Sequence, residues 1–101
     1  MKSCVRTGIS VGVVMVAMAS TGHAQGPTGA AIGYTCAGCH GPDGVSQGDI
    51  DSLRGLETDY IDQAMKAFRS GDRTGTVMNR IATGYTDEEI RAVAEYFGAM
   101  E

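Results

Sequence analysis

Residues 36–40 read Cys36-Ala37-Gly38-Cys39-His40. Two thiols separated by two residues and followed at once by an imidazole form the C-x-x-C-H pattern of c-type haem attachment. The spacing lets each thiol add to one haem vinyl group, giving two thioether bonds. His40 is then carried beneath the iron as its proximal ligand. Ala37 and Gly38 are small, so a haem edge beside them stays open to a partner. Three other readings compete. A Cys36–Cys39 disulfide closes only a tiny loop and adds little stability. A thioredoxin-like redox pair needs a βαβ context, and no strand-like alternation occurs in the chain. A zinc site needs four ligands, and downstream of residue 24 there is no further Cys or His.

Upstream of the motif, Lys2 and Arg6 give a basic start and Ile9 to Ala19 an uncharged apolar run, followed by Ser20-Thr21-Gly22-His23-Ala24. Small residues stand at −3 and −1 of a cut after Ala24, the pattern of a secretory signal peptide. The apolar run has 11 residues, whereas a membrane span needs about 20. Residues 1–24 are therefore expected to be a cleaved export signal, with Cys4 removed in it. Residues 25–101 then form a periplasmic domain with no membrane span.

That domain has 77 residues, with twelve carboxylates against six Lys and Arg. Its length excludes a multidomain enzyme, and its acidity argues against nucleic acid, whose phosphates repel it. A chain so short buries little apolar surface and commonly relies on a disulfide, a metal or a cofactor. A covalent haem supplies that here.

The remaining pattern is helical. Thr28 caps a first helix from about Gly29 into the haem motif. Gly41-Pro42-Asp43-Gly44 is a turn, and Val45 to Leu56 reads as a loop. Thr58 opens a second helix, Asp59 to about Ser70, with Asp59 and Asp62 in its first turn and Ile61, Ala64, Met65 and Phe68 as its apolar face. Gly71 to Gly84 reads as a second loop with a short apolar stretch at Val77, Met78 and Ile81. Thr86-Asp87-Glu88-Glu89 is a capping box opening a last helix, whose buried stripe is Ile90, Val93, Ala94 and Phe97. Asp87 and Arg91 are spaced as an i, i+4 pair. The fold class is all-α: three to five helices around one haem.

The sixth iron ligand is read by position. His40 is the one histidine of the domain, so two-histidine ligation would require His23 to be retained. Met65 sits on an apolar helix face and Met100 beside the C-terminus, where chains fray. Met78 lies in a loop, which can bring a sulfur across the distal face, and is the favoured axial partner of His40. Thioether sulfur is soft and favours reduced iron. Two filled axial positions leave no open site, which points to electron transfer; a haem gas sensor or ligand binder would need that site open.

On these residues the chain resembles the class I cytochromes c. Residues 66–78, KAFRSGDRTGTVM, and 79–90, NRIATGYTDEEI, resemble more narrowly the cytochrome subunits of flavocytochrome c sulfide dehydrogenases and their single-haem relatives, over about Thr35 to Phe97. The resemblance implies haem c on Cys36 and Cys39, axial ligands His40 and Met78, and electrons received from a sulfide-oxidising flavoprotein and passed to a downstream acceptor. It implies no catalysis by this chain alone. A free carrier serving a terminal oxidase or another dehydrogenase shares the same chemistry. Two features depart from the family pattern. Some members have two haem domains, and here there is one motif. Asp49 and Asp51 stand where each Pro of the haem-proximal loop is expected. A carbonyl of this loop usually accepts the His Nδ1–H, and Asp49 offers one. The loop loses proline stiffness, so the His40 side is expected to be more mobile than in relatives.

Of the charges, Asp43, Asp49, Asp51, Glu57, Asp59 and Asp62 are candidates for an acidic face that steers a basic partner. Arg69, Arg73 and Arg80 are candidates for the haem propionates. Ile50, Leu53, Phe68, Val77 and Ile81 are the expected apolar shell. Tyr85 and Tyr96 are assigned to packing.

Overall fold

The computed structural model describes residues 26–101, together with Gly8 and Gly12. The expected export signal, residues 1–24, lies outside the described residues apart from those two glycines.

Among the described residues, four helices run in chain order: α1 (Gly29–His40), α2 (Thr58–Ser70), α3 (Met78–Ala82) and α4 (Asp87–Gly98). A single 3-10 turn, Pro42–Gly44, follows α1. The described residues contain no strand, and none of their helices is long and apolar enough to cross a membrane.

Helix α4 is the hub, packing against α1 on one side and α2 on the other, while α3 packs on α2. Its expected stripe is fully committed: Ile90, Val93, Ala94 and Phe97 are all buried. They meet Ile32 from α1, Ile61 and Met65 from α2, and Ala82 from α3. The capping box forms as read. The Thr86 hydroxyl accepts from Glu89 N (3.2 Å), and the Glu89 carboxylate accepts from Thr86 N (3.4 Å). Thr28 caps α1 in the same way, through Ala31 N at 3.2 Å. Such a cap is worth about 1 kcal/mol.

Helix α1 is docked by another means, which the sequence reading did not identify. Its sequence GAAIGYTCAGCH has no apolar stripe. Gly29 and Gly33, one turn apart, lie where α1 meets α4. A Cβ on Gly29 would strike the Ala92 carbonyl, and one on Gly33 would strike the Tyr96 ring. Absence of side chains there lets the two backbones approach closely.

Four sequence expectations are corrected. Met78 is in α3, not in a loop, because Ala82 is wholly buried and draws the segment onto the core. Helix α2 begins at Thr58, with Glu57 at the cap position. Asp62 lies beyond the first turn and is only 8 % exposed, paired with Lys66 at 2.9 Å. Asp87 and Arg91 do not pair with each other. Arg69 reaches across from α2 to bond Asp87, and Arg91 bonds Asp59 (2.7 Å) and Glu95 (3.1 Å). The Arg69–Asp87 and Arg91–Asp59 contacts cross between α2 and α4, which lie side by side, while Arg91–Glu95 is an i, i+4 pair one turn further along α4.

Candidate haem site

The proximal half of the site is built at the C-terminal end of α1. Both thiols are free, Cys36 half-buried and Cys39 exposed. Burial, the largest influence, holds the Cys36 thiol above its ordinary value, and its backbone hydrogen bond partly offsets this. Tyr85 packs against the core; its phenol is pushed upward by burial and then by the charges of Cys36 and Glu89. His40 is the last residue of α1. The chain then turns away at Gly41, whose φ of 90° is the left-handed region that favours glycine. There the Gly41 N–H closes the helix on the Ala37 carbonyl at 3.0 Å.

His40 Nδ1–H donates to the Asp51 carbonyl at 2.6 Å. The acceptor is therefore two residues beyond the Asp49 carbonyl that the sequence suggested. A carbonyl has no proton to give, so this bond places a proton on Nδ1; in the neutral imidazole that leaves Nε2 as the nitrogen that can ligate a metal. The loop that presents Asp51 is closed at its base. The Gly44 carbonyl accepts from both Leu53 N (2.8 Å) and Arg54 N (3.1 Å), and Gly55 N donates to Phe97 O (3.0 Å). Ser52 Oγ accepts from Ser46 N at 2.9 Å. These bonds supply part of the constraint that the missing prolines would have given. Residues 47–50 between them are exposed.

The other half of the site is at α3. Met78 is half-buried at the first position of the helix, packed on the core beside Phe68. Of the two other methionines in the domain, Met65 is buried among core residues. Met100 does not fray as the sequence suggested. Its N–H donates to Phe97 O, its sulfur lies 3.8 Å from Arg54 Nη1, and Arg54 Nε donates to the Glu101 carbonyl at 2.7 Å. Met65 is thus committed to the core and Met100 to contacts at the C-terminal end, while Met78, like Met100 packed against the core cluster from outside it, stands on the short helix α3.

Of the expected apolar shell, Leu53 and Phe68 are half-buried against the core. Ile50, Val77 and Ile81 are 47 %, 52 % and 40 % exposed. The polypeptide thus leaves large apolar side chains uncovered on the segments flanking Met78 and on the loop that holds His40, which suits an apolar macrocycle. The donor set fits the same group: two unpaired thiols, an imidazole with its Nδ1 committed elsewhere, and a thioether. No group of three or more His, Cys, Asp or Glu suited to another metal ion occurs among the described residues.

The arginine candidates separate. Arg69 is occupied by the Tyr85 carbonyl and Asp87. Arg73 lies over the Phe68 ring (4.8 Å) and the Tyr60 ring (5.9 Å). Arg80 is exposed and makes no ion pair among the described residues. One residue escaped the sequence reading altogether: Asn79, whose carboxamide makes three hydrogen bonds, to Gly75, Phe68 and Arg73. Its signal was weak, a single amide after a methionine.

Residues 27–100 match the sequence model of the Cytochrome c family. The chain is 50% identical over 72 residues to the cytochrome subunit of sulfide dehydrogenase from Chlorobaculum tepidum, covering 71% of this chain and 66% of that protein. It is 37% identical over 71 residues to cytochrome c-554(548) from Halomonas halodenitrificans, covering 66% and 86% respectively. Among solved structures, Acidithiobacillus ferrooxidans cytochrome c4 superposes with a TM-score of 0.62 at 37% identity, over 64% of this chain and 38% of that one. The chain therefore spans just under two thirds of the sulfide dehydrogenase subunit and well under half of the cytochrome c4. The motif at 36–40, the all-helical fold and the match over residues 27–100 agree: the chain belongs to the cytochrome c family, whose members bind haem c covalently and carry electrons.

Proposed function

We propose that this chain is exported with cleavage after Ala24 and works in the periplasm as a single-haem, one-electron carrier. Cys36 and Cys39 would hold haem c through thioether bonds, and His40 and Met78 would ligate its iron. The observation that carries this reading is the His40–Asp51 bond. It engages Nδ1 and leaves Nε2 as the ring nitrogen available to a metal, on the residue directly after two free thiols. The bound haem supplies a reversible Fe(III)/Fe(II) couple. The chain's own residues set the conditions around it. The Asp51 carbonyl raises the basicity of the imidazole and resists its rotation. The Met78 thioether favours the reduced state. The exposed apolar residues at 50, 77 and 81 provide apolar contact that excludes water.

The partner we infer is a sulfide-oxidising flavoprotein, with a downstream acceptor on the other side. The support is the 50% identity to a sulfide dehydrogenase cytochrome subunit. A free soluble carrier is the second reading. It is favoured by length, since the chain spans 86% of cytochrome c-554(548). The charge pattern bears on either partner. Asp59 and Asp62 are neutralised by Arg91 and Lys66. Asp43, Asp49, Asp51 and Glu57 are exposed and make no ion pair among the described residues. The steering face is thus narrowed to the His40 side of the molecule, and it suits a basic partner surface.

An absorption spectrum of the protein purified gently from its own periplasm tests the assignment. Haem c and flavin bands in one co-eluting species establish the subunit reading. Haem c alone favours a free carrier or a loosely held subunit. Absence of haem overturns both.

A further inference from the structure

We propose that Asn79 is the positioning residue for the distal ligand: its carboxamide, not the helix that carries Met78, holds Met78 in place. This rests on the reading of Met78 as the iron ligand and adds the device that keeps it there.

Helix α3 has five residues and Val77, at its cap position, makes no side-chain capping bond. A helix so short has no stability of its own in water, so external contacts must place it. At its C-terminal end that contact is Ala82, wholly buried. At its N-terminal end, where Met78 sits, it is the side chain of Asn79. Asn79 Oδ1 accepts from Gly75 N at 2.8 Å. Asn79 Nδ2 donates to the Phe68 carbonyl and to the Arg73 carbonyl, both at 2.8 Å. Both amide protons and the oxygen are therefore used. The Phe68 carbonyl belongs to the last turn of α2, where carbonyls lack helical partners. One side chain thus ties the end of α2, the loop at 73–75 and the start of α3 together. Two further contacts close the same loop, Arg73 N to Ala67 O (3.1 Å) and the Arg73 guanidinium over Phe68. Neither reaches residue 78.

The chemistry of the three bonds makes the inference testable by an isosteric change. Asp has the volume of Asn and keeps the acceptor for Gly75, but it loses both donors and sets a carboxylate against two carbonyls. A packing role is rescued by Asn79→Asp; a donor role is not.

The experiment uses the haem-loaded protein and three variants: Met78→Ala, Asn79→Ala and Asn79→Asp. It reads the far-red thioether-to-iron charge-transfer band of the oxidised protein and the rate of carbon monoxide binding to the reduced protein. Far-ultraviolet circular dichroism checks helicity. Met78→Ala is expected to abolish the band. Both Asn79 variants are expected to lose at least about half of it and to bind carbon monoxide at least about tenfold faster, the factor expected when two or three net hydrogen bonds are lost, with helicity retained. A full band and unchanged binding rate in both Asn79 variants, with the band lost in Met78→Ala, overturn the role of Asn79 alone. Full recovery in Asn79→Asp does the same. A band that survives Met78→Ala overturns the ligand reading and this inference together. Where an Asn79 variant fails to fold, hydrogen exchange of the Gly75 amide in the unaltered protein decides. That N–H has Asn79 Oδ1 as its partner, so protection comparable to α2 is expected, and exchange at the rate of a free loop amide overturns the proposal.

Discussion

The two ends of the proposed His40–Met78 axis are built in opposite ways. On the His40 side the chemistry is contiguous: five residues at the end of one helix carry both thiols and the imidazole, and one carbonyl from a loop eleven residues on orients the ring. On the Met78 side nothing is contiguous. The proposed ligand, Met78, stands on a helix too short to hold itself, placed by a buried alanine at one end and an asparagine network reaching back to Phe68 at the other. The contrast teaches where strength is needed. On the proposed reading the proximal side is anchored by two thioether bonds to the haem, so its loop can do without proline stiffness. The distal side, with one proposed thioether contact, must be held by the fold.

The largest test of this contrast removes one anchor type at a time. Cys36→Ser with Cys39→Ser is expected to abolish haem retention under acid–acetone extraction, whereas Met78→Ala keeps the haem and loses only the sixth ligand. Intact mass before and after extraction distinguishes them. The next concerns how α1, which carries the proximal half, is docked. Gly29→Ala forces a Cβ into the Ala92 carbonyl, an overpacking that costs about 1–3 kcal/mol. Thermal unfolding is expected to shift down by about 4–8 °C per kcal/mol in a domain of this size. An unchanged midpoint would show that α1 does not approach α4 closely.

A smaller effect belongs to the loop that presents Asp51. Amides of Leu53 and Arg54, both on the Gly44 carbonyl, are expected to exchange slowly. Residues 47–50 are expected to exchange faster than any part of α2 or α4, and Ser52→Ala to release the Ser46 amide that its hydroxyl holds. Uniformly slow exchange across 48–53 contradicts the idea that lost prolines loosened this side. The smallest effect is electrostatic. Arg69, through its hydrogen bond and then its charge, holds the Asp87 carboxyl below the usual range. A depressed folded value means the pair stabilises above the unfolded pKa of about 3.9 and is lost as pH falls through the lower folded value. Asp87→Asn is therefore expected to lower the thermal midpoint slightly near neutrality and to leave it unchanged at strongly acidic pH. The pair is exposed, so the change is small.

What could be read from sequence was what is local. The Thr28 and Thr86 caps and the α4 stripe each depend on residues close together in one helix, and each stands where it was read. Site features that depend on two segments meeting were not legible. The acceptor for His40 depends on how loop 44–54 closes, and a two-residue error in sequence changes the carbonyl presented. Helix α3 is invisible to periodicity because five residues do not complete two turns. The Arg69–Asp87 and Arg91–Asp59 pairs exist because α2 and α4 are neighbours, which no i, i+4 rule contains. Asp62 appeared as surface charge because burial of a carboxylate beside Lys66 depends on the packing around α2.

The central claim is a covalent haem c held between His40 and Met78. One oxidised-minus-reduced absorption spectrum of the purified holoprotein, after acid–acetone washing, tests it most directly. The account predicts a haem c signal that survives washing, low-spin in both states, with a thioether-to-iron band in the oxidised form. A haem that washes out would contradict the thioether anchors. A retained haem that is high-spin, or low-spin without that band, would contradict Met78 as the sixth ligand.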